Sequence, residues 1–425
     1  MNILITGANG FIGQHLFRMC LRHGHQISVC MHQASASLAF SDAKLIQVDF
    51  TRDHDIAVWL ERLQAIDVVI NCVGIIRQKN QQTFDAIHYK AACALFKACE
   101  IAAIRKVIQI SALGAGEGAI SEFLRTKKAA DDCLSSLALD WTILKPSIVY
   151  GEGARSMAFF KALAALPLTP IPGNGKQLVQ PLHIDDLCAT VLLALESNCF
   201  SRKRVELGGA NALSLKAMLS QIKSYMGMAK HRFIGLPNRL ASLATELLGS
   251  ITNAPVTSDT LKMLNSGSVT DSKTLFELST IRPRSFRAGI LEEFSNKSGI
   301  INNRQYFLLP LLRLSLALLW IYSGFVSAFA YPLEQSLAML ERLGLDGGFA
   351  LFLLYAAAFL DVILGLALLL NKRTALVLKT QILLILTYSV LISFSMPELW
   401  LHPFAPLAKN LPLLVSSLLL LVNEG

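Results

Sequence analysis

Seven residues near the start of the chain, Gly7-Ala8-Asn9-Gly10-Phe11-Ile12-Gly13, constrain its fold more than any other feature. They follow a short apolar run, Ile3-Leu4-Ile5, and precede a helix-like stretch, Gln14 to His23. A strand, a glycine turn and a helix start leave bare backbone N–H groups at a helix N-terminus, and a pyrophosphate binds there. Gly7 permits the tight turn, Gly10 lets phosphates approach the backbone, and Gly13 allows close packing of helix on strand.

Apolar runs after this turn recur with helical stretches between them. Ile27 to Met31, Leu45 to Val48, Asp67 to Cys72, Lys106 to Ile110 and Trp141 to Leu144 read as strands two to six. Strands separated by helices imply a parallel sheet covered on both faces. From Gly151 the pattern loosens into a smaller substrate lobe, with helices expected over Leu213 to Met226 and Asn238 to Gly249. A polar linker is expected from Ser295 to Arg304.

Beyond it the chain reads as membrane. Four apolar stretches follow, Tyr306–Ala330, Phe349–Leu370, Thr374–Ser393 and about Ala408–Val422. A bilayer core takes about 20 apolar residues per helix; the first three reach that length and the fourth is marginal. The chain is therefore expected to have two domains, 1–300 and 306–425: an α/β Rossmann-type doubly wound sheet with a small substrate lobe, then a four-helix transmembrane bundle. Arg304, Arg313, Lys372 and Arg373 fall on one side, whereas the loop from Tyr331 to Gly348 holds three acids and one Arg. The positive-inside rule puts the nucleotide domain and both ends in the cytosol, at the inner membrane.

Charge and cysteine content narrow the classes. Of the 39 basic and 30 acidic residues, six of each lie from Gln305 onward, so the first piece holds 33 against 24 and the whole net charge of +9. That suits a domain beside an anionic leaflet. No basic run with interleaved aromatics accompanies it, and nucleic acid is not expected as a partner. All eight Cys lie between Cys20 and Cys199, with no Cys-x-x-Cys and no accompanying His spacing. They read as reduced structural thiols, and no metal site is visible. No signal peptide is expected, since the first apolar run is short and ends in the glycine turn.

Five ordered blocks over about Met1 to Ser298 resemble the extended, atypical short-chain dehydrogenase/reductases. The nearest look-alikes are bacterial relatives of the nucleotide-binding accessory subunit of respiratory complex I. The blocks are Ile5 to Gly13, Gln47-Val48-Asp49-Phe50, Ile110 to Ala115, Leu144-Lys145-Pro146-Ser147-Ile148-Val149-Tyr150-Gly151, and Gln180 to Leu187. The resemblance implies cofactor contacts from Gly7, Asn9, Gly10, Phe11, Ile12 and Gly13. It implies that Asp49 meets the adenine with Phe50 beside it, that Cys72, Val73 and Gly74 line the cofactor, and that Pro146 and Ser147 flank the nicotinamide. His183-x-Asp185-Asp186 would be a turn joining the lobes, its carboxylates read as helix caps.

The second strand ends Cys30-Met31-His32-Gln33, with no acid for a ribose 2′-hydroxyl. That leans towards NADP over NAD. His32 falls where the family places an Arg for the 2′-phosphate. The family's catalytic signature is a Tyr with a Lys four residues later and a nearby Ser. Here Lys127 is present and Ser111 stands at the Ser position, but the Tyr position is Phe123. A benzyl group has no proton to give, so the usual proton relay is broken. Lys127 can still hold the nicotinamide ribose. His88 and Tyr89 are on the helix facing this site and read first as ordinary helix residues, second as substitute acids.

From Leu312 the chain resembles the DoxX-like membrane family. The resemblance rests on Arg313 to Gly324, Asp361-Val362-Ile363-Leu364-Gly365, Pro397 to Phe404 and Lys409-Asn410-Leu411-Pro412. Some members of that wider group belong to quinone-linked oxidoreductases. Asp361 lies mid-helix, where a carboxylate is costly unless it faces protein, and Arg313 is expected to meet it inside the bundle. Three readings result: a membrane-anchored NAD(P)H-dependent reductase of an apolar substrate such as a quinone or lipid, a non-enzymatic nucleotide-binding scaffold or redox sensor, and transport through the bundle.

Overall fold

The computed structural model describes residues 1–32, 40–228, 231–237, 239–243, 257–294, 298–403 and 405–423, with backbone alone at 294 and 298–307. The chain forms two compact units, Met1–Arg304 and Gln305–Gly425.

The first unit is built on seven parallel strands: β1 (Asn2–Thr6), β2 (Gln26–Met31), β3 (Lys44–Gln47), β4 (Val68–Asn71), β5 (Lys106–Ile110), β6 (Trp141–Pro146) and β7 (Lys203–Leu207). Their order is β7-β6-β5-β4-β1-β2-β3. The first six stand where the apolar runs predict them. β7 was not expected. Only Val205 and Leu207 of its five residues are buried, because it is an edge strand paired on one side to β6.

Successive residues of a strand point to opposite faces, so each central strand feeds two cores. Ile3, Ile5, Val68, Ile70 and Ile108 join Leu16, Phe17 and Cys20 of α1 (Phe11–Arg22) on one face. Leu4, Val69 and Val107 join Trp59, Leu95, Phe96, Ala130 and Leu134 on the other, from α2 (Ile56–Arg62), α3 (Ala91–Ile101) and α4 (Glu122–Ser135). α4 starts at Ser121, whose hydroxyl accepts the Leu124 N–H at 3.2 Å. α1 begins at Phe11, three residues before the expected start, directly after Gly10.

The second lobe packs α5 (Arg155–Ala165), α6 (Ile184–Glu196, shared with the sheet) and α7 (Leu215–Tyr225) beside three two-stranded pairs. Its core gathers Tyr150, Met157, Met218, Leu219 and Ile222. α7 matches the expected helix to within two residues. Of the helix expected over Asn238 to Gly249, residues 239–243 are helical and the rest lies outside the described residues.

Two expectations are corrected. Cys93 and Cys133 are bonded as a disulfide, with Cα atoms 6.0 Å apart; six cysteines are free. Sequence spacing does not reveal that α3 and α4 lie side by side, so eight thiols were expected. The linker also gives way to helix at Ser298, where α8 (Ser298–Phe325) begins and runs through Pro310.

The second unit continues with a short helix, Leu333–Glu341, then α9 (Gly347–Leu369), α10 (Thr374–Ser395) and α11 (Asn410–Val422). Among the described residues, three segments are long and apolar enough to cross a membrane, Leu308–Ala330, Gly347–Leu369 and Thr374–Ser395. α11 has 13 residues, roughly 20 Å at 1.5 Å per residue, short of a hydrocarbon core of about 30 Å. The core gathers Leu316, Trp320, Leu364, Leu368, Leu378, Ile385 and Leu420 from all four helices. Phe349, Phe352, Phe359, Leu383 and Phe394 point outward. An outward apolar surface is what lipid requires.

Candidate dinucleotide site

The parallel sheet aims its C-terminal edge at one crevice, where nucleotides bind in such folds. β1 ends there in the glycine turn. Gly7 has φ +68°, and a Cβ on it would stand 2.9 Å from the Cys72 carbonyl carbon. A Cβ on Gly13 would come within 2.2 Å of the Gly7 oxygen, so strand and helix touch backbone to backbone. Gly10 is the N-cap of α1 and gives it no side-chain cap. The first-turn N–H groups therefore remain open for an anion, as a pyrophosphate requires. Asn9 is exposed at the turn. Phe11 and Ile12 offer their N–H groups there, while the Phe11 ring meets His15 at 5.1 Å and lies beside Gly151 and Gly153.

The far end of the crevice is a cavity lined by His32, Gln47, Val48, Asp49, Asp53 and Arg62. Asp49 accepts from the Thr51 hydroxyl at 2.6 Å and the Thr51 N–H at 2.9 Å. Burial pushes its carboxyl up, but these bonds, His32 and Arg52 bring it below the ordinary value. His32 Nδ1 stands 3.9 Å from the Asp49 carboxylate with its side chain 71% exposed. Phe50 is turned towards the core, edge-on to Trp59 at 5.3 Å.

The floor is a buried polar seam. The Thr6 hydroxyl donates to Asn71, and the Asn71 amide donates to Gln109 at 2.7 Å. The Cys72 thiol is pushed up by burial, so it is no nucleophile at neutral pH. Lys127 reaches across from α4. Its ammonium donates to the Val73 carbonyl at 2.9 Å and the Ile110 carbonyl at 3.2 Å. Burial lowers its pKa to about 8, with Asp131 pulling the other way. A Cβ on Gly74 would stand 3.3 Å from that nitrogen.

At the position of the family's phenol the structure holds an aromatic cluster. Phe123 meets Phe84 at 5.8 Å and His88 at 5.2 Å, and Phe84 stacks on His88 at 5.3 Å. His88 Nε2 accepts the Ile75 N–H at 2.9 Å. Its Nδ1 lies 3.1 Å from the Thr126 hydroxyl, which itself donates to the Glu122 and Phe123 carbonyls. That assigns the proton to Nδ1 and leaves neither nitrogen free. Burial, then the Lys127 charge, hold the imidazole well below its usual value. With both nitrogens bonded, the His88 ring ties the segment after β4 to α4.

Ser111 is also engaged. Its hydroxyl donates to Asp131 at 2.6 Å, and Lys145 stands 3.7 Å from the same oxygen. Burial raises Asp131 to about 6. Lys145 donates to the Ala115 carbonyl at 2.5 Å. Sequence reasoning missed Asp131 and Lys145. The available signal was spacing, since Asp131 is four residues past Lys127 on one helix face. Pro146 accepts the Leu113 N–H at 2.9 Å, and the Ser147 hydroxyl donates to the Gln180 carbonyl.

The expected turn at 183–186 joins the lobes, with a different division of labour. His183, not a carboxylate, caps α6 by accepting the Asp185 N–H at 3.3 Å. Asp186 accepts the Arg284 backbone N–H at 2.9 Å and its guanidinium at 3.1 Å.

In the membrane unit the expected Asp361–Arg313 pair does not form. Ser323 donates to Asp361 at 3.2 Å, while Arg313 donates to Asn371 at 2.6 Å. Equal depth along two helices does not fix which faces meet.

Comparisons with known proteins divide the chain in the same way. Residues 3–208 match the NAD dependent epimerase/dehydratase family, and residues 317–418 match the DoxX-like family. A ceramide reductase of Caulobacter vibrioides is 24% identical over 258 residues, 60% of this chain and 80% of that protein. The NADH dehydrogenase [ubiquinone] 1 alpha subcomplex subunit 9 of Arabidopsis thaliana is 28% identical over 249 residues, 56% of this chain and 60% of that one. Among solved structures, a UDP-glucuronic acid 4-epimerase of Bacillus cereus in complex with UDP-glucuronic acid and NAD has a TM-score of 0.52 at 21% identity, covering 69% of this chain and 98% of its own. The UDP-glucose 4-epimerase of Thermotoga maritima has a TM-score of 0.53 at 17% identity, covering 70% and 99%. These likenesses give the fold of the first unit. The chain is thus a nucleotide-binding domain of the NAD dependent epimerase/dehydratase type, related to complex I subunit 9 and ceramide reductase, joined to a DoxX-like membrane domain.

Proposed function

We propose that the protein is a membrane-anchored NAD(P)H-dependent reductase of an apolar acceptor, a quinone or a lipid. The observation that supports it is an intact cradle with Lys127 in place and no phenol beside it. A bound nicotinamide nucleotide supplies hydride when reduced. Lys127 holds its ribose and lends positive charge. Ser111 gives its one hydroxyl proton to Asp131 in this structure, so it donates to an acceptor oxygen only by turning from that carboxylate.

Phe123 supplies no proton, which narrows the acceptor. Hydride added to an ordinary ketone leaves an alkoxide, which demands a general acid. Hydride added to a quinone leaves a phenolate-type anion, whose conjugate acid has a pKa of about 10, as for tyrosine. Such a product departs without the missing phenol. The apolar cluster of Phe84, His88 and Phe123 suits a flat, apolar ring. The likeness to a ceramide reductase instead supports a keto-lipid as second candidate acceptor. His32 and the lack of an acid after β2 favour NADPH, and the basic residues flanking the spans favour a cytosolic nucleotide domain at the inner membrane.

The test uses the full chain in liposomes. Oxidation of NADPH and NADH is followed with a short-chain quinone and with a keto-lipid. Quinone-dependent oxidation lost in Lys127→Met supports the proposal. Tight cofactor binding with no turnover on either acceptor replaces it with the non-enzymatic scaffold, a reading favoured by His88 and Ser111 already having partners.

A further inference from the structure

Ser323, Asp361, Gln381 and Ser417, one from each of the four main helices of the membrane unit, lie at about the same depth. Ser323 of α8 donates to Asp361 of α9 at 3.2 Å. These helices pack tightly, since a Cβ on Gly365 would stand 2.7 Å from the Ala317 oxygen and one on Gly324 would stand 2.4 Å from the Ala358 oxygen. Asp361 lies ten residues before Asn371 in the α9–α10 turn, and Gln381 lies ten after it. Both are therefore roughly 15 Å in from the turn. The Asn410 amide of α11 donates to Ser389 of α10 at 2.9 Å. Eight residues back along α10 is Gln381, and seven forward along α11 is Ser417, about 10–12 Å in each case.

The same residues face one core. Gln381 is four and three residues past Val377 and Leu378 and four before Ile385, which puts it on their side of α10. Asp361 precedes Leu364 by three, and Ser417 precedes Leu420 by three. Gln381 and Ser417 are 0% exposed. Both amide atoms of Gln381, the Ser417 hydroxyl and Asp361 Oδ1 have no hydrogen-bond partner among the described residues. Intramembrane polar groups are expensive unless something satisfies them.

We propose that this layer binds a single sodium-sized monovalent cation, with Asp361 as the charged ligand and the oxygens of Ser323, Gln381 and Ser417 as neutral ones. The donor set is oxygen throughout, which suits a hard cation. It holds one carboxylate, which balances one positive charge. A cation of calcium or sodium size takes oxygens at about 2.3–2.6 Å, so ligands on opposite sides of it stand too far apart to bond one another. Asp361 Oδ1, the Gln381 amide oxygen and the Ser417 hydroxyl have no hydrogen-bond partner among the described residues, as groups that give their lone pairs to a cation would. A bare proton bridges only groups already within hydrogen-bond reach, so a proton alone does not join them.

The experiment is thermal unfolding of the full chain in nanodiscs, read by tryptophan fluorescence, with Trp320 buried in the same core as reporter. NaCl replaces choline chloride at constant ionic strength. A cation that binds only the folded bundle raises its midpoint saturably. The expected result is a rise with NaCl and none with choline. Gln381→Leu should fold, since it replaces an unpartnered amide with an apolar side chain, and should lose most of the rise. Asp361→Asn should lose all of it. Equal midpoints in NaCl and choline overturn the proposal and leave bound water as the occupant. A full NaCl response in Gln381→Leu also overturns it, and that variant carries the test where Asp361→Asn does not fold.

Discussion

Phe123 presents its ring to the imidazole of His88 almost at right angles, 89° between planes with centroids 5.2 Å apart. The residue that in the resembling reductases passes a proton here packs against a histidine whose two nitrogens are already bonded. Phe123→Tyr should therefore restore a relay to a site that keeps Lys127 and Ser111. We expect negligible reduction of simple ketones by the native protein and measurable NAD(P)H-dependent reduction by the variant. Robust native alcohol dehydrogenase activity, unchanged in His88 variants, would contradict this account.

Gly10→Val should abolish dinucleotide binding while leaving the protein folded. The backbone at Gly10 is extended, with φ −76° and ψ 163°, which valine tolerates. Its Cβ would stand 3.1 Å from the Gly7 oxygen, a tight fit for the local backbone to absorb. The rest of the side chain enters the pyrophosphate position. Equilibrium binding of NADH and NADPH by fluorescence, beside a circular-dichroism check of folding, measures both halves of the expectation.

Lys127 makes stability depend on alkaline pH. Its folded pKa of about 8 lies below the ordinary 10.5. Between those values the unfolded chain keeps a proton that the folded chain has released, so stability rises with pH across that window. The rise is on the order of 3 kcal/mol. Lys127→Met should lack this increment, visible as a flatter melting temperature between pH 8 and 10 than in the native protein.

Asp361 and Arg313 should behave independently. Arg313 donates to Asn371, ten residues from Asp361 along α9, or about 15 Å. Sites that far apart with no shared partner usually add within about 0.3–0.5 kcal/mol. The double variant Asp361→Asn, Arg313→Gln should lose stability by the sum of the single losses. A recovery in the double variant would reinstate the ion pair.

The loop between the first two spans is expected outside the cytosol. Asp346 is exposed at the start of α9 and makes no side-chain cap. Asp346→Cys should react with an impermeant maleimide in intact cells. Labelling that needs permeabilisation would reverse the topology.

The sheet was legible because buried parallel strands are near-continuous apolar runs. Val68 to Asn71 and Lys106 to Ile110 are buried throughout and stand out in the sequence. β7 escaped because three of its five residues face outward. The glycine turn was legible from local order, whereas Lys127 and Phe123 stood out only through the family resemblance. Asp131 with Lys145, Cys93 with Cys133 and Ser323 with Asp361 were not legible. Each is a meeting of segments far apart in sequence, which no periodicity encodes. The Asp361–Arg313 expectation failed for the same reason, since depth along a helix is legible and rotation about its axis is much less so.

The bridge from Cys93 to Cys133 spans 40 residues. That stretch contains Ser111, Phe123 and Lys127, whereas Gly7, Asp49, Gly74 and Pro146 lie outside it. Half of the site thus belongs to a covalent ring and half to open chain. When the protein unfolds oxidised, Ser111, Phe123 and Lys127 stay tethered within one ring, and the glycine turn, Asp49 and Pro146 disperse. Closing a loop of that length is worth roughly 4 kcal/mol in lost chain entropy. A thiol reductant therefore opens the ring that holds Ser111, Phe123 and Lys127 while leaving the covalent structure around the glycine turn untouched.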